Sequence, residues 1–225
     1  MRVVTIDGPA GAGKSTVARL LAARLEWRLL DTGAMYRAVT LAALRAGVDL
    51  ESDLELSALA AGVRIELPHG GGVVLDGEDV SGLIRGVEVT RASRHLADSP
   101  GVRRVLVDRQ RECARATDTV TEGRDQGTVV FPDAFRKFYM TATDAERARR
   151  RFAEFAARGE NVTLDDVAAD IKRRDAHDAA RAIAPMRPAD DALIVDTTGV
   201  ELDVVVANLA RFVLETPRAT PEARP

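Results

Sequence analysis

The chain has 225 residues, 46% of them hydrophobic and 30% charged, with a formal net charge of −3; this is the make-up of one globular unit with a substantial core. No apolar stretch approaches membrane-spanning length, and a net negative charge argues against bulk binding to nucleic acid or anionic membranes, so any positive field must be local. A single cysteine, Cys113, cannot form an internal disulfide, and the chain enters a strand directly at its N-terminus without a leader pattern, so the expected location is the cytoplasm.

The first apolar run, Val3–Asp7, reads as a strand, and Lys14–Glu26 as an amphipathic helix. Between them stands Gly8-Pro9-Ala10-Gly11-Ala12-Gly13-Lys14-Ser15, which matches G-x-x-x-x-G-K-[ST] between a strand and a helix. Such a loop curls its N–H groups around phosphate oxygens; Lys14 reaches the β- and γ-phosphates and the Ser15 hydroxyl is a Mg²⁺ ligand. Only Lys14, Lys137 and Lys172 among 32 cationic residues are lysines, so a chance match is improbable. The chain is expected to bind a nucleoside triphosphate.

Strand Trp27–Asp31 and helix Ala34–Ala46 follow, joined through Leu30-Asp31-Thr32-Gly33-Ala34-Met35-Tyr36-Arg37. In open parallel sheets functional groups gather at the carboxyl ends of strands, so Arg37 is placed to reach a phosphate; Asp31 or Thr32 equally reads as a helix cap. An excursion comes next. Val63–Leu67 alternates, Pro68-His69-Gly70-Gly71-Gly72 turns, Val73–Asp76 runs again, and Gly77–Gly82 reads as another turn, predicting a β-hairpin in an inserted lobe that serves a second substrate.

Helix Val102–Ala114 and strand Thr119–Glu122 restore the α/β rhythm. Glu122 closes that strand, placed to hold a metal-bound water, and leads into Gly123-Arg124-Asp125-Gln126-Gly127-Thr128. There a guanidinium suits phosphate oxygens and a carboxylate suits exocyclic N–H donors, or the two form a local ion pair. Strand Lys137–Thr141 precedes helix Asp144–Arg158, whose start Thr143-Asp144-Ala145-Glu146 reads as a capping box. Arg147, Arg150 and Arg151 share one side of this helix, either as a basic lid over a triphosphate or as surface partners of Glu146 and Glu154. Helix Leu164–Arg181 carries Arg174, Asp178 and Arg181 at i, i+4 and i+7, which reads as a phosphate and ribose clamp or as a solvated ion-pair stripe. Strand Leu193–Asp196 and helix Leu202–Leu214 complete the pattern, and Thr216–Pro225 is Pro- and charge-rich, expected to be a disordered tail.

The expected fold is therefore α/β, of the P-loop NTPase kind: a five-stranded parallel sheet flanked by helices, an inserted lobe with a small antiparallel sheet, and a helical lid. The core comprises 1–36, 101–143 and 183–215, the lobe 37–100, and the lid with its following helix 144–182.

Together these segments resemble the bacterial cytidylate kinases of the nucleoside monophosphate kinase group. The resemblance rests on Ile6 through Thr16, Leu30 through Arg37, Gly123-Arg124-Asp125 with Gly127 through Asp133, and Ala184-Pro185-Met186; Gln126 departs from it, standing where the family has an apolar residue. It implies transfer of the γ-phosphoryl group of ATP to CMP or dCMP with Mg²⁺, with ATP held by Gly8 through Thr16. It implies that Thr32, Arg103 and Asp125, with Ser93, contact the cytosine ring. Arg37, Arg124 and Arg181 would hold the acceptor phosphate, Arg174 and Asp178 the pentose or nearby phosphates, and Arg147, Arg150 and Arg151 the lid. Ser15 and, through water, Glu122 would serve the metal. Partners are then the small molecules ATP and CMP or dCMP, with no nucleic acid and no membrane, and a monomer is the default. Rival readings are a kinase for UMP or shikimate, a switch-type NTPase, and a nucleic-acid binder.

Overall fold

The computed structural model describes residues 1–68, 71–157 and 159–215. Strands β1 (Val3–Asp7), β2 (Arg28–Asp31), β6 (Thr119–Glu122), β7 (Arg136–Thr141) and β8 (Leu193–Asp196) form a parallel sheet in the order β2-β6-β1-β7-β8. The five sheet strands agree with the sequence reading to within a residue at each end. Because all run the same way, their carboxyl ends share one edge, and register aligns Asp31 with Glu122 and Glu122 with Ile6. The loops that carry chemistry therefore leave the sheet side by side.

Helices α1 (Lys14–Leu25) and α8 (Leu202–Leu214) cover one face of the sheet, where Val4, Ile6, Leu21, Phe138, Met140 and Leu209 form a dry core. Helices α2 (Thr32–Ala46) and α5 (Pro100–Cys113) cover the other. α5 begins two residues before the expected Val102, because Ser99 accepts from the Val102 N–H (3.1 Å) and Pro100 sits at the first turn, where its missing N–H costs nothing. On that second face Leu30, Met35, Leu56, Leu75, Ile84, Leu96 and Leu106 form one continuous cluster, so the inserted lobe shares its core with the sheet. Each such fully buried side chain contributes about 1.5–3 kcal/mol.

The lobe differs from the expected hairpin. It contains α3 (Asp53–Gly62), a three-stranded antiparallel sheet of β3 (Ile65–Glu66), β4 (Val74–Leu75) and β5 (Glu78–Asp79), a 3₁₀ turn (Leu83–Arg85) and α4 (Val87–Asp98). Glu78–Asp79, expected as turn, pairs with β4 instead. The strands are only two residues long, too short for alternation to register β5. Ser52-Asp53-Leu54-Glu55 carries the capping signature of α3, and Ser52 Oγ accepts from Glu55 N at 3.4 Å. The middle of the expected hairpin turn, His69-Gly70, the expected helix end at Arg158, and the expected tail 216–225 lie outside the described residues.

Helices α6 (Asp144–Ala157) and α7 (Leu164–Ala180) pack on each other through Ala148, Val167 and Ile171, with Phe152, Phe155 and Ala10 beside them. The capping box at α6 is half formed. Thr143 Oγ1 accepts from Glu146 N (3.4 Å), but the Glu146 carboxylate turns to Arg149 and Arg150, and Thr143 N donates to Thr198 Oγ1. Two guanidiniums outcompete one backbone amide for the carboxylate.

Candidate active site

The loop between β1 and α1 is shaped by close approach. Gly8 has φ +138°, and a Cβ there would lie 2.0 Å from the carbonyl oxygen of Met140 on the neighbouring strand β7. Gly8→Ala is therefore expected to cost about 3 kcal/mol or more and to abolish nucleotide binding, checked by chemical denaturation and by titration with ATP. Gly13 (φ +87°, ψ 10°) ends the loop as the α1 N-cap with no side-chain cap, and the first turn holds no acidic residue. Helices α2, α3, α5 and α7 all carry side-chain caps. The first N–H groups of α1 are thus left to an anion.

Lys14 is buried, and its Nζ donates to Pro9 O at 2.7 Å. Burial, then the nearby Arg124 charge, pulls its pKa down to about 7, with Glu122 opposing. The sign of the linkage follows. Protonated Lys14 is disfavoured in the free protein, so its contribution to fold stability rises with pH between about 7 and 10.5, while bound phosphates favour the protonated form. Binding of ATP at pH 8 is expected to take up as much as about one proton, and affinity to weaken as pH rises above 7. Calorimetry in two buffers of different ionisation enthalpy measures this; equal heats would contradict it.

At the ends of β2 and β6, Asp31 Oδ1 accepts from Ala34 N (2.8 Å), so Asp31 caps α2, while Thr32 donates to Glu122 O (2.7 Å). Glu122 is buried, and burial followed by the Asp31 charge raises its pKa. Its Oε1 accepts from Ser15 Oγ at 3.0 Å. No three His, Cys, Asp or Glu side chains gather as a metal site among the described residues. A hydroxyl beside one buried carboxylate suits Mg²⁺, which keeps most of its waters and takes further ligands from substrate phosphates.

Arg124 and Asp125 do not pair with each other. Arg124 Nε donates to Asp178 Oδ2 (3.0 Å), and Asp125 takes a very short bond from Arg103, whose other nitrogen reaches the Tyr36 hydroxyl at 3.5 Å. Arg181 Nη2 meets Asp178 Oδ1 at 2.7 Å. The stripe on α7 is thus no solvated ion-pair pattern: Asp178 is 3% exposed and bridges two arginines from different segments. Loss of water around its guanidinium, then the Arg124 charge, lowers Arg174 to about 10, although its side chain still meets solvent. Arg37 lies 3.7 Å from Asp31, its buried Nε without a partner, and burial lowers its pKa.

These groups line one cavity of about 470 Å³ that runs from the P-loop to the lobe. It gathers Ala10, Gly11, Gly13, Lys14, Ser15, Thr16, Thr32, Arg37, Ser93, Arg103, Glu122, Arg124, Asp125, Arg151, Arg174, Asp178 and Arg181. Eight cationic against five acidic side chains border it in a chain of net charge −3, so the positive field is indeed concentrated here. Gly8, Pro9 and Ala12 shape the loop from behind. Ser93 donates to Thr90 O (2.9 Å).

Two of the lid arginines are elsewhere. Arg147 is buried, donating to Ala10 O (2.9 Å), Ala142 O (3.2 Å), Asp144 (2.6 Å) and, very closely, Asp175, which in turn accepts from Ala10 N at 2.9 Å. Arg150 binds Glu146 and both oxygens of Thr197. Both therefore clamp α6 to the body of the protein, outside the cavity wall, and a catalytic role for Arg147 does not follow from its placement. Sequence reasoning missed Arg85, which enters the cavity from the 3₁₀ turn, and Asp98, which ends α4 and accepts from Arg181 Nε (2.9 Å) beside His177 (2.8 Å). Among 29 arginines no local pattern marks Arg85. It also missed Asp7, whose carboxylate accepts from Gln126 N (2.9 Å) and Gly127 N (2.7 Å) across the sheet; burial raises its pKa to about 6.

A parallel sheet with a phosphate loop at β1, opening into one arginine-lined cavity that extends under an inserted lobe, defines a P-loop enzyme that brings two phosphorylated groups together. The cytidylate kinase family model matches residues 4–215, and the chain belongs to that family. It is similar to the cytidylate kinases of Shewanella amazonensis (48% identity over 210 residues, 91% of each chain) and Pseudomonas aeruginosa (44% over 214 residues, 93% of each). Two solved structures share the fold: an uncharacterized protein from Eubacterium ventriosum (TM-score 0.56, 10% identity, 96% of this chain and all of that one) and TT1252 from Thermus thermophilus (TM-score 0.50, 19% identity, 96% and 98%).

Proposed function

We propose that the protein transfers the γ-phosphoryl group of ATP to CMP or dCMP, giving ADP and CDP or dCDP. The observation that carries the acceptor assignment is the buried Asp125–Arg103 pair, which lines the same cavity as Lys14. A cytosine ring offers an exocyclic amino donor and ring acceptors, which match a carboxylate beside a guanidinium; uracil would set a carbonyl oxygen against the carboxylate. Thr32 and Ser93 border the same cavity.

The acceptor is an ionised phosphate oxygen, so no general base is required, and rate must come from positioning and charge neutralisation. The α1 amides and Lys14 hold the donor phosphates. Arg37, Arg124 and Arg181 hold the acceptor phosphate, with Asp178 holding Arg124 and Arg181 through its two oxygens while it and Arg174 border the pentose. Arg151, held by Glu154 at 2.7 Å, faces the cavity from α6 and stabilises charge on the moving group. Arg147 acts as a positioning residue that ties α6 and α7 to the P-loop. Mg²⁺, at Ser15 with Glu122 behind its waters, would neutralise the donor phosphates. Water is excluded when the lid and lobe close over both nucleotides. We place the enzyme in the cytoplasm as a monomer acting on small molecules, without nucleic acid or membrane; no described helix is long and apolar enough to cross a membrane.

The test is ADP release from ATP–Mg²⁺ with CMP, dCMP, UMP, AMP, GMP or no acceptor. Fast turnover with the cytosine nucleotides alone supports the assignment. Acceptor-independent hydrolysis, or activity only with a non-cytosine acceptor, overturns it.

A further inference from the structure

Next to the Asp125–Arg103 pair lies a buried polar cluster, Gln126, Gln110 and Thr121, none of which lines the cavity itself. Gln126, which directly follows Asp125, is 2% exposed, and Gln110 is fully buried. Gln126 Oε1 accepts from Thr121 Oγ1 on β6 at 3.0 Å, and its Nε2 donates to Gln110 Oε1 on α5 at 3.4 Å. Its backbone N–H donates to Asp7 on β1. The Gln126 side chain also fills the space beside Gly123: a Cβ there would lie 2.8 Å from Gln126 Cγ.

Gln110 stands seven residues after Arg103 on the same face of α5. The amide pair therefore joins, from the buried side, the two segments whose carboxylate and guanidinium meet in the cavity. An apolar pair would fill such a place with less desolvation, and here Gln110 Nε2 is left without a partner. What an apolar contact lacks is direction. A hydrogen bond sets the distance and angle between α5 and the Asp125 loop, and misplacement of a recognition pair by an ångström is felt strongly in binding and catalysis.

We propose that Gln126, acting through Gln110, is a positioning residue for base recognition: it sets the register between Asp125 and Arg103 and thereby the preference for cytosine over uracil. The proposal rests on the reading that Asp125 and Arg103 meet the base. Gln126→Met, close in volume, is expected to raise KM for CMP about 3- to 10-fold and to narrow the CMP-over-UMP preference, with kcat and KM for ATP within about twofold of the parent, the size of one directional hydrogen bond. Gln110→Leu, which leaves the Thr121 contact intact, is expected to do the same should the first variant fold poorly. In Gln110→Leu/Gln126→Met no amide is orphaned, so Tm is expected to recover while KM for CMP stays raised.

Variants that lower only Tm, or that shift kcat and both KM values together, would overturn the proposal, as would a double variant that restores KM along with Tm. Asp125→Ala separates the two levels. If it leaves the CMP-over-UMP preference unchanged, the base-recognition reading falls; if it abolishes that preference while Gln126→Met preserves it, only the positioning role falls.

Discussion

Lys14→Met is expected to lower kcat at saturating substrates by about 10²–10³-fold or more, while leaving the fold at least as stable as the parent. Removal of one preorganised donor to developing charge typically costs that much, and phosphoryl transfer relies on such groups almost entirely. The stability half of the prediction comes from the lysine's surroundings. Its ammonium is buried, donates to Pro9 O, and is disfavoured enough, despite the Glu122 and Asp7 charges, that its pKa falls to about 7. Methionine removes that charge and keeps the volume. Steady-state kinetics and thermal melting measure both halves, and the proton uptake on ATP binding should vanish with them. A variant that is inactive because it is unfolded, or one that retains a tenth of kcat, would contradict the assignment.

The second large effect is expected for Asp178→Ala. Its side chain is 4% exposed and is bonded to both Arg124 and Arg181, with Arg174 beside them in the cavity wall. Taking one partner from a buried ionic cluster costs about 3–5 kcal/mol, and the lower end applies because these arginines border water. In a chain of this size about 3 kcal/mol lowers Tm by about 6–12 °C. The same loss lets the two guanidiniums part, so kcat/KM for CMP is expected to fall by about 10²-fold or more. Inorganic phosphate should raise the Tm of the variant more than that of the parent, because an anion between the arginines replaces the missing carboxylate. An unchanged Tm and kcat/KM would show that Asp178 holds nothing.

How much of this was legible beforehand differs from segment to segment. The five sheet strands and six of the helices were legible because apolar period, caps and glycines act within a few residues of each other. β5 and the lobe helices were less so. A two-residue strand has no period, and α4 starts at Val87 behind Gly86, which offers no side-chain cap to announce it. At the site, the P-loop, Thr32, Arg37, Glu122, Asp125 and the α7 residues stood out as candidates because each lies in a compact motif at a strand end or on one helix face. Those motifs left Thr32 open as a helix cap and the α7 pattern as an ion-pair stripe; the structure brings them to one cavity.

The pairings were a different matter. That Arg124 turns to Asp178, 54 residues away, while its neighbour Asp125 turns to Arg103 is a choice among many arginines and carboxylates that any local pattern permits. The same holds for Arg147, which a basic helix start suggests as a lid residue and packing assigns to the P-loop carbonyl of Ala10. The sequence by itself determined the phosphate loop, the sheet and the chemical kinds of residue at the strand ends, since those depend on backbone conformation and short-range periodicity. Which charge meets which, and whether a side chain faces the cavity or the core, was decided only by the tertiary structure, because Coulomb and desolvation energies depend on distance in space and on the water left around each group.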